Sequence, residues 1–157
     1  MTNLDSRFKV VPGIVNASNT QTSQAGTGTS TVTGSKVLIP AKPPAGLTFR
    51  FKCAGTKTGA NATALLHLKI GGTQAASITF DDVTAVEWLA EITVRFTDAS
   101  NQKIMGYVLN DTGDPAIEYA AGTVDCKGGA EMSLQIESGN ANDTVTCEMV
   151  TVESWVM

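Results

Sequence analysis

The chain has 157 residues, a formal net charge of -4 and a pI near 4.9, which suits one domain with an ordinary core plus a short extension. Its basic residues are scattered, so it lacks the electrostatic footprint of a phosphate-gripping surface and nucleic acid is not an expected partner. Neither a secretory signal at Met1 to Arg7 nor an apolar run of about 18 residues is present, so a protein made in the cytoplasm with no membrane partner is expected.

The first element is a short apolar patch, Phe8 to Val15, in which Phe8, Val10, Val11, Ile14 and Val15 suit insertion into a groove on a neighbour. From Asn16 to Ser35 every residue except Ala17, Ala25 and Val32 is Gly, Ser, Thr, Asn or Gln. Such a tract has little to bury, and ordering it costs about 1 to 2 kcal/mol per residue, so residues 1–35 read as an N-terminal arm, flexible or docked on a neighbour. Residues 36–157 read as a single β-sandwich domain.

Strand patterning starts with Thr31 to Ile39 and continues after the Lys42 to Gly46 turn. Leu47, Phe49, Phe51 and Cys53 alternate with Thr48, Arg50 and Lys52, as in a half-buried antiparallel strand. Gly55 to Gly59 reads as a loop. Ala62 to Ile70 then places Ala64, Leu66, Leu68 and Ile70 inward, and Gly71-Gly72 stops it. Ser77 to Phe80 is short, and Trp88 to Phe96 alternates clearly, although Thr84 to Leu89 would also suit a helical turn. Gln102 to Leu109, Ile117 to Val124, Glu131 to Glu137 and Thr144 to Val156 follow, separated by clusters of turn formers. About eight strands at near-regular spacing predict an all-β, antiparallel, jelly-roll-like β-sandwich with an extended N-terminal arm.

Several stretches resemble a known group: Val37 to Ala41, Ala45-Gly46-Leu47 with Phe49-Arg50-Phe51 and Gly55, Ile70-Gly71-Gly72 closing a long strand, and Trp88 ahead of Glu91 to Phe96. Together they look like the jelly-roll virion proteins of tailed bacteriophages, which include capsid decoration or cement proteins and head-fibre modules. The likeness covers Ser30 to the C-terminus and consists of strand and turn patterns. It implies a surface component of a phage particle, and the early apolar patch and uncharged tether favour a homotrimeric capsid decoration or cement protein bound to the major capsid protein or other virion proteins. A fibre or adhesion module binding host glycan, or a tail or neck component, is the alternative.

No residue set points to catalysis, a cofactor or a metal. His67 lies mid-strand without a nucleophile on a sharp turn, and reads as a solvated or interface histidine. Asp111 and Asp114 suit a β-turn better than a calcium loop, which needs further acidic ligands at fixed spacing, and Asp81, Asp82 and Asp143 read the same way. Cys53, Cys126 and Cys147 are odd in number and widely spaced, so buried thiols are expected rather than a disulfide framework. Trp88 shares its face with Ala90, Ile92, Val94 and Phe96 and belongs in the core; Trp155 is undecided between covering the sheet and meeting a neighbour. Leu65, Leu89 and Tyr107 stand on nominally polar strand faces and are the expected subunit-interface residues.

Overall fold

A computed structural model of the chain describes residues 13–59, 63–80, 86–110 and 115–157. These form twelve antiparallel strands in two sheets with no helix among the described residues. The strands are β1 (Gly13–Ser18), β2 (Thr22–Ala25), β3 (Gly28–Thr31), β4 (Val37–Ile39), β5 (Leu47–Thr58), β6 (Ala64–Ile70), β7 (Thr73–Phe80), β8 (Val86–Asp98), β9 (Asn101–Asn110), β10 (Ala116–Gly122), β11 (Ala130–Ser138) and β12 (Thr144–Val156). The larger sheet runs β1-β12-β5-β8-β9-β10, with β2 also on β12; the smaller runs β3-β11-β6-β7, with β4 also on β11.

Alternation in the sequence decides which face each strand buries. Phe49, Phe51 and Cys53 on β5, Trp88 to Phe96 at every second position on β8, and Ile104 and Val108 on β9 meet Leu66, Leu68, Ile70, Met132, Leu134 and Ile136 from the smaller sheet. Phe49 and Phe96 pack edge to face, with ring centroids 6.4 Å apart. On β12 the inward set changes parity, from Val145 and Cys147 to Val150 and Val152, because the ladder with β5 slips between Cys147 and Met149. Glycine permits two close approaches, that of β5 to β12 within the larger sheet at Gly55 and that of the two layers at Gly106. A Cβ on Gly55 would lie 1.8 Å from the Thr146 carbonyl oxygen, and one on Gly106 would lie 2.6 Å from Ile78 Cδ1.

The pairings of β5 with β12, β6 with β11 and β8 with β9 are nested, as in a rolled-up hairpin. β7 and β10, which the same nesting would pair, instead stand at the borders of different sheets and touch across the sandwich. Trp88 and Leu89 lie within β8, so the strand reading holds there, and β5 continues as strand through the stretch Gly55 to Thr58 that reads as a loop in sequence.

The tract read as an arm departs most from expectation. From residue 13 onward, β1 and β2 lie end to end along one border of β12, while β3 and β4 do the same along β11. The segment thus straps both sheets on one side of the sandwich. Its small polar side chains bridge the two halves: Asn16 Nδ2 donates to the Lys36 carbonyl at 2.9 Å, the Thr33 amide donates to Thr22 Oγ1 at 2.8 Å, and Ser30 Oγ donates to Gln24 Oε1 at 2.7 Å. Ser35 is fully buried, where its hydroxyl donates to the Val32 carbonyl and accepts from the Leu134 amide. A low apolar content misleads here because ladder bonds use the backbone, which every residue supplies. Phe8, Val10 and Val11 lie outside the described residues.

Candidate functional site

The outward face of the larger sheet carries a cluster of exposed apolar side chains. Ladder register fixes its rows. Met149, Ala54, Leu89 and Leu109 form one row across β12, β5, β8 and β9. The next holds Thr151, Lys52, Glu91, Tyr107 and Ile117; the one after holds Glu153, Arg50, Thr93, Met105 and Tyr119. The end of this face formed by β8, β9 and β10 is therefore apolar and aromatic, and the opposite end is charged.

Leu89, Leu109, Met105, Ile117 and Tyr119 are all exposed, with Ile117 at 71% and Tyr119 at 67%. Met105, Tyr107, Leu109, Pro115 and Ile117 line a shallow trough of about 420 Å³. Monomeric proteins rarely expose contiguous apolar patches larger than about a few hundred Å², and these five large exposed side chains gather on three adjacent strands. The cause is local. β10 is a border strand whose alternation points Ala116 and Ala120 toward the core and Ile117 and Tyr119 outward, the reverse of what burial inside a monomer would select.

Leu89 and Tyr107, expected at a subunit interface, thus fall on one outer surface, beside Met105, Leu109, Ile117 and Tyr119, which the sequence alone does not single out. The missing signal was cross-strand register, since these residues are dispersed in sequence and become neighbours only through pairing. Leu65 does not join them. It is half-buried on the outer face of the smaller sheet, opposite Glu137 and Thr79. Ile14 and Val15 are exposed on β1, where Val15 lines a groove with Val37, Leu38, Pro40, Leu47 and Phe49 between the two sheet borders.

At the charged end, the Arg50 guanidinium lies 5.2 Å from the ring centroid of Trp155, and its Nε donates to Glu153 Oε2 at 2.7 Å. Lys52 Nζ adds a contact at 3.6 Å to the same oxygen. The hydrogen bond from Arg50 and the two nearby cations hold the Glu153 carboxyl below its ordinary range.

His67 corrects the reading as a solvated or interface residue: it is 4% exposed, and its Nε2 sits 2.6 Å from Glu137 Oε2. All three thiols are free and buried. The neighbouring Cys147 thiol together with burial keeps the Cys53 thiol well above its ordinary range. Trp88 is buried in the core. Asp81, Asp82, Asp111 and Asp114 lie outside the described residues, and among the described residues no three His, Cys, Asp or Glu side chains are grouped to hold a metal. No protein-family model matches the chain, and no curated protein is significantly similar to it.

Proposed function

We propose that the protein is a structural component of a tailed-bacteriophage virion, a homotrimeric capsid decoration or cement protein that binds the major capsid protein at the head surface. The apolar face of β8, β9 and β10 carries this reading, because an assembly surface removes from water side chains that a solitary domain leaves wet. A stable interface needs about 800 Å² per partner, so the patch supplies a core for one, with Glu91, Lys103 and Arg95 on neighbouring outward positions as a charged rim. The occupant is a second copy of this chain, since closed cyclic assembly lets three copies cover three such patches. The strand and turn patterns of Ser30 to the C-terminus, similar to those of phage head proteins, supply the particle context.

Two measurements test the proposal. Sedimentation equilibrium of the full chain at micromolar concentration is expected to give three times the chain mass; a monomer defeats the assembly reading. Particles of the encoding phage that lack the protein are then mixed with labelled chain, sedimented and imaged. Saturable label on heads is expected, whereas label confined to fibres or tails, or none at all, overturns the decoration reading.

A further inference from the structure

Lys57 is an interior residue of β5. The alternation Phe49, Phe51, Cys53, Gly55 carries it inward, and its side chain is 0% exposed. Asp143, just ahead of β12, is also 0% exposed. Lys57 pairs with Val145 in the ladder, so Asp143, two residues earlier, is its diagonal neighbour on the same sheet face. Lys57 Nζ lies 3.7 Å from Asp143 Oδ2.

This is unlike an ordinary ion pair. An ammonium–carboxylate hydrogen bond closes to about 2.7–2.9 Å, and a buried carboxylate normally collects several donors, yet neither oxygen of Asp143 accepts a hydrogen bond. The residue is nonetheless firmly held. Its carbonyl accepts from the Gly26 amide at 2.9 Å and from Ser138 Oγ at 3.4 Å, and its amide donates to the Asn140 carbonyl at 3.3 Å. Gly59, at φ 103°, passes so close that a Cβ would lie 1.9 Å from Asp143 Oδ1. The carboxyl group is therefore held beside the amine, with Nζ 3.7 Å from one oxygen of the group it would attack.

We propose that Lys57 and Asp143 condense to an intramolecular isopeptide bond. In the condensation one proton passes from the Lys57 ammonium to the Asp143 carboxylate, so that an amine meets a carboxylic acid. The Nζ lone pair attacks Cγ of Asp143, a new N–C bond forms, and the Cγ–OH bond breaks. The hydroxyl leaves with a second amine hydrogen as water, and the third stays on the amide nitrogen. Atoms and charges balance without an oxidant or co-reactant. The product carries no charge, so the desolvation cost of two buried ions disappears, and this favours condensation over hydrolysis. The bond staples the end of β5 to the start of β12, where both β2 and the β11–β12 connection converge.

Mass spectrometry of the denatured full chain, with allowance for removal of Met1, tests this directly. The mass is expected to be one water below that of the sequence, and proteolysis should give a branched peptide joining the segments that contain Lys57 and Asp143, with no cleavage after Lys57. Lys57→Met and Asp143→Ala are each expected to restore the full mass. The wild-type chain decides the matter even if those variants fold poorly. A wild-type mass equal to the sequence overturns the proposal, as does a water loss that survives in Lys57→Met, which marks a succinimide instead.

Discussion

Tyr107 and Ile117 stand directly opposite each other across the β9–β10 ladder, both on the outer side of the larger sheet, with Ile117 on the border strand. Their pairing places the most exposed aliphatic side chain of the patch beside an aromatic ring, at the centre of the proposed contact between copies. Burying each large apolar side chain contributes about 1.5–3 kcal/mol, and a carboxylate in its place adds a desolvation cost. Ile117→Glu is expected to convert the trimer to monomer in sedimentation velocity while changing monomer stability by no more than about 0.5 kcal/mol, as usual at exposed sites. A variant that remains trimeric excludes this face from the interface.

Gly55 tests the packing of β5 between β12 and the core. A Cβ there meets the Thr146 carbonyl at 1.8 Å and Trp88 Cζ2 at 2.9 Å, and backbone cannot yield as a flexible side chain does. Gly55→Ala is expected to cost at least the roughly 1–3 kcal/mol typical of overpacking, read as a lower urea midpoint. An unchanged midpoint would mean that the two strands part more easily than their ladder implies.

Trp88→Ala removes the largest side chain that β8 contributes to the core. The expected loss is about 3–5 kcal/mol, a large share of the stability of a typical domain. Chemical denaturation measures it, and a loss under about 1 kcal/mol would place the ring outside the packed interior.

The strands from Leu47 onward were legible because their alternation is strong and their breaks carry glycine, proline or asparagine. Two stretches fold otherwise than their composition suggests. Gly55 to Gly59 looks like a loop, yet continuing the alternation of Phe49, Phe51 and Cys53 two further steps places Gly55 and Lys57 inward. The tract from Asn16 to Ser35 looks like a tether, yet strands on a sheet border need backbone partners more than apolar side chains. The apolar face was half legible. Leu89 and Tyr107 stood out individually, but only the register with β10 joins them to Ile117 and Tyr119.

Glu153 gives the fold a pH-dependent contribution. Its folded-state carboxyl titrates below the unfolded value of about 4.3, chiefly through the Arg50 hydrogen bond. A depressed carboxyl stabilises the folded state fully above the unfolded value and loses that contribution as pH falls through the lowered folded one. Wild type and Glu153→Gln are therefore expected to differ most in stability near neutral pH and to converge below about pH 4. Denaturation at a series of pH values measures the difference, and a gap that is constant across the range would remove the ion pair as its cause.

Truncation before Lys36 addresses the strap. Removing the preceding residues strips β1 and β2 from β12 and β3 from β11, exposing the ladder groups of two strands that are central in the intact sheets. It also removes the Ser35 hydroxyl that the buried Leu134 amide donates to. Each lost backbone bond is worth about 0.5–1.5 kcal/mol net, and an unsatisfied buried group costs about 1–3 kcal/mol. With three strands lost, the sum reaches the whole stability of an ordinary domain, about 5–15 kcal/mol. The newly exposed borders of β11 and β12 would also pair with those of other molecules. The truncated chain is therefore expected to be insoluble or to unfold at a far lower temperature than the full chain. Solubility and thermal melting check this, and a truncated protein that melts with the intact one would return residues 13–35 to the role of a dispensable tether.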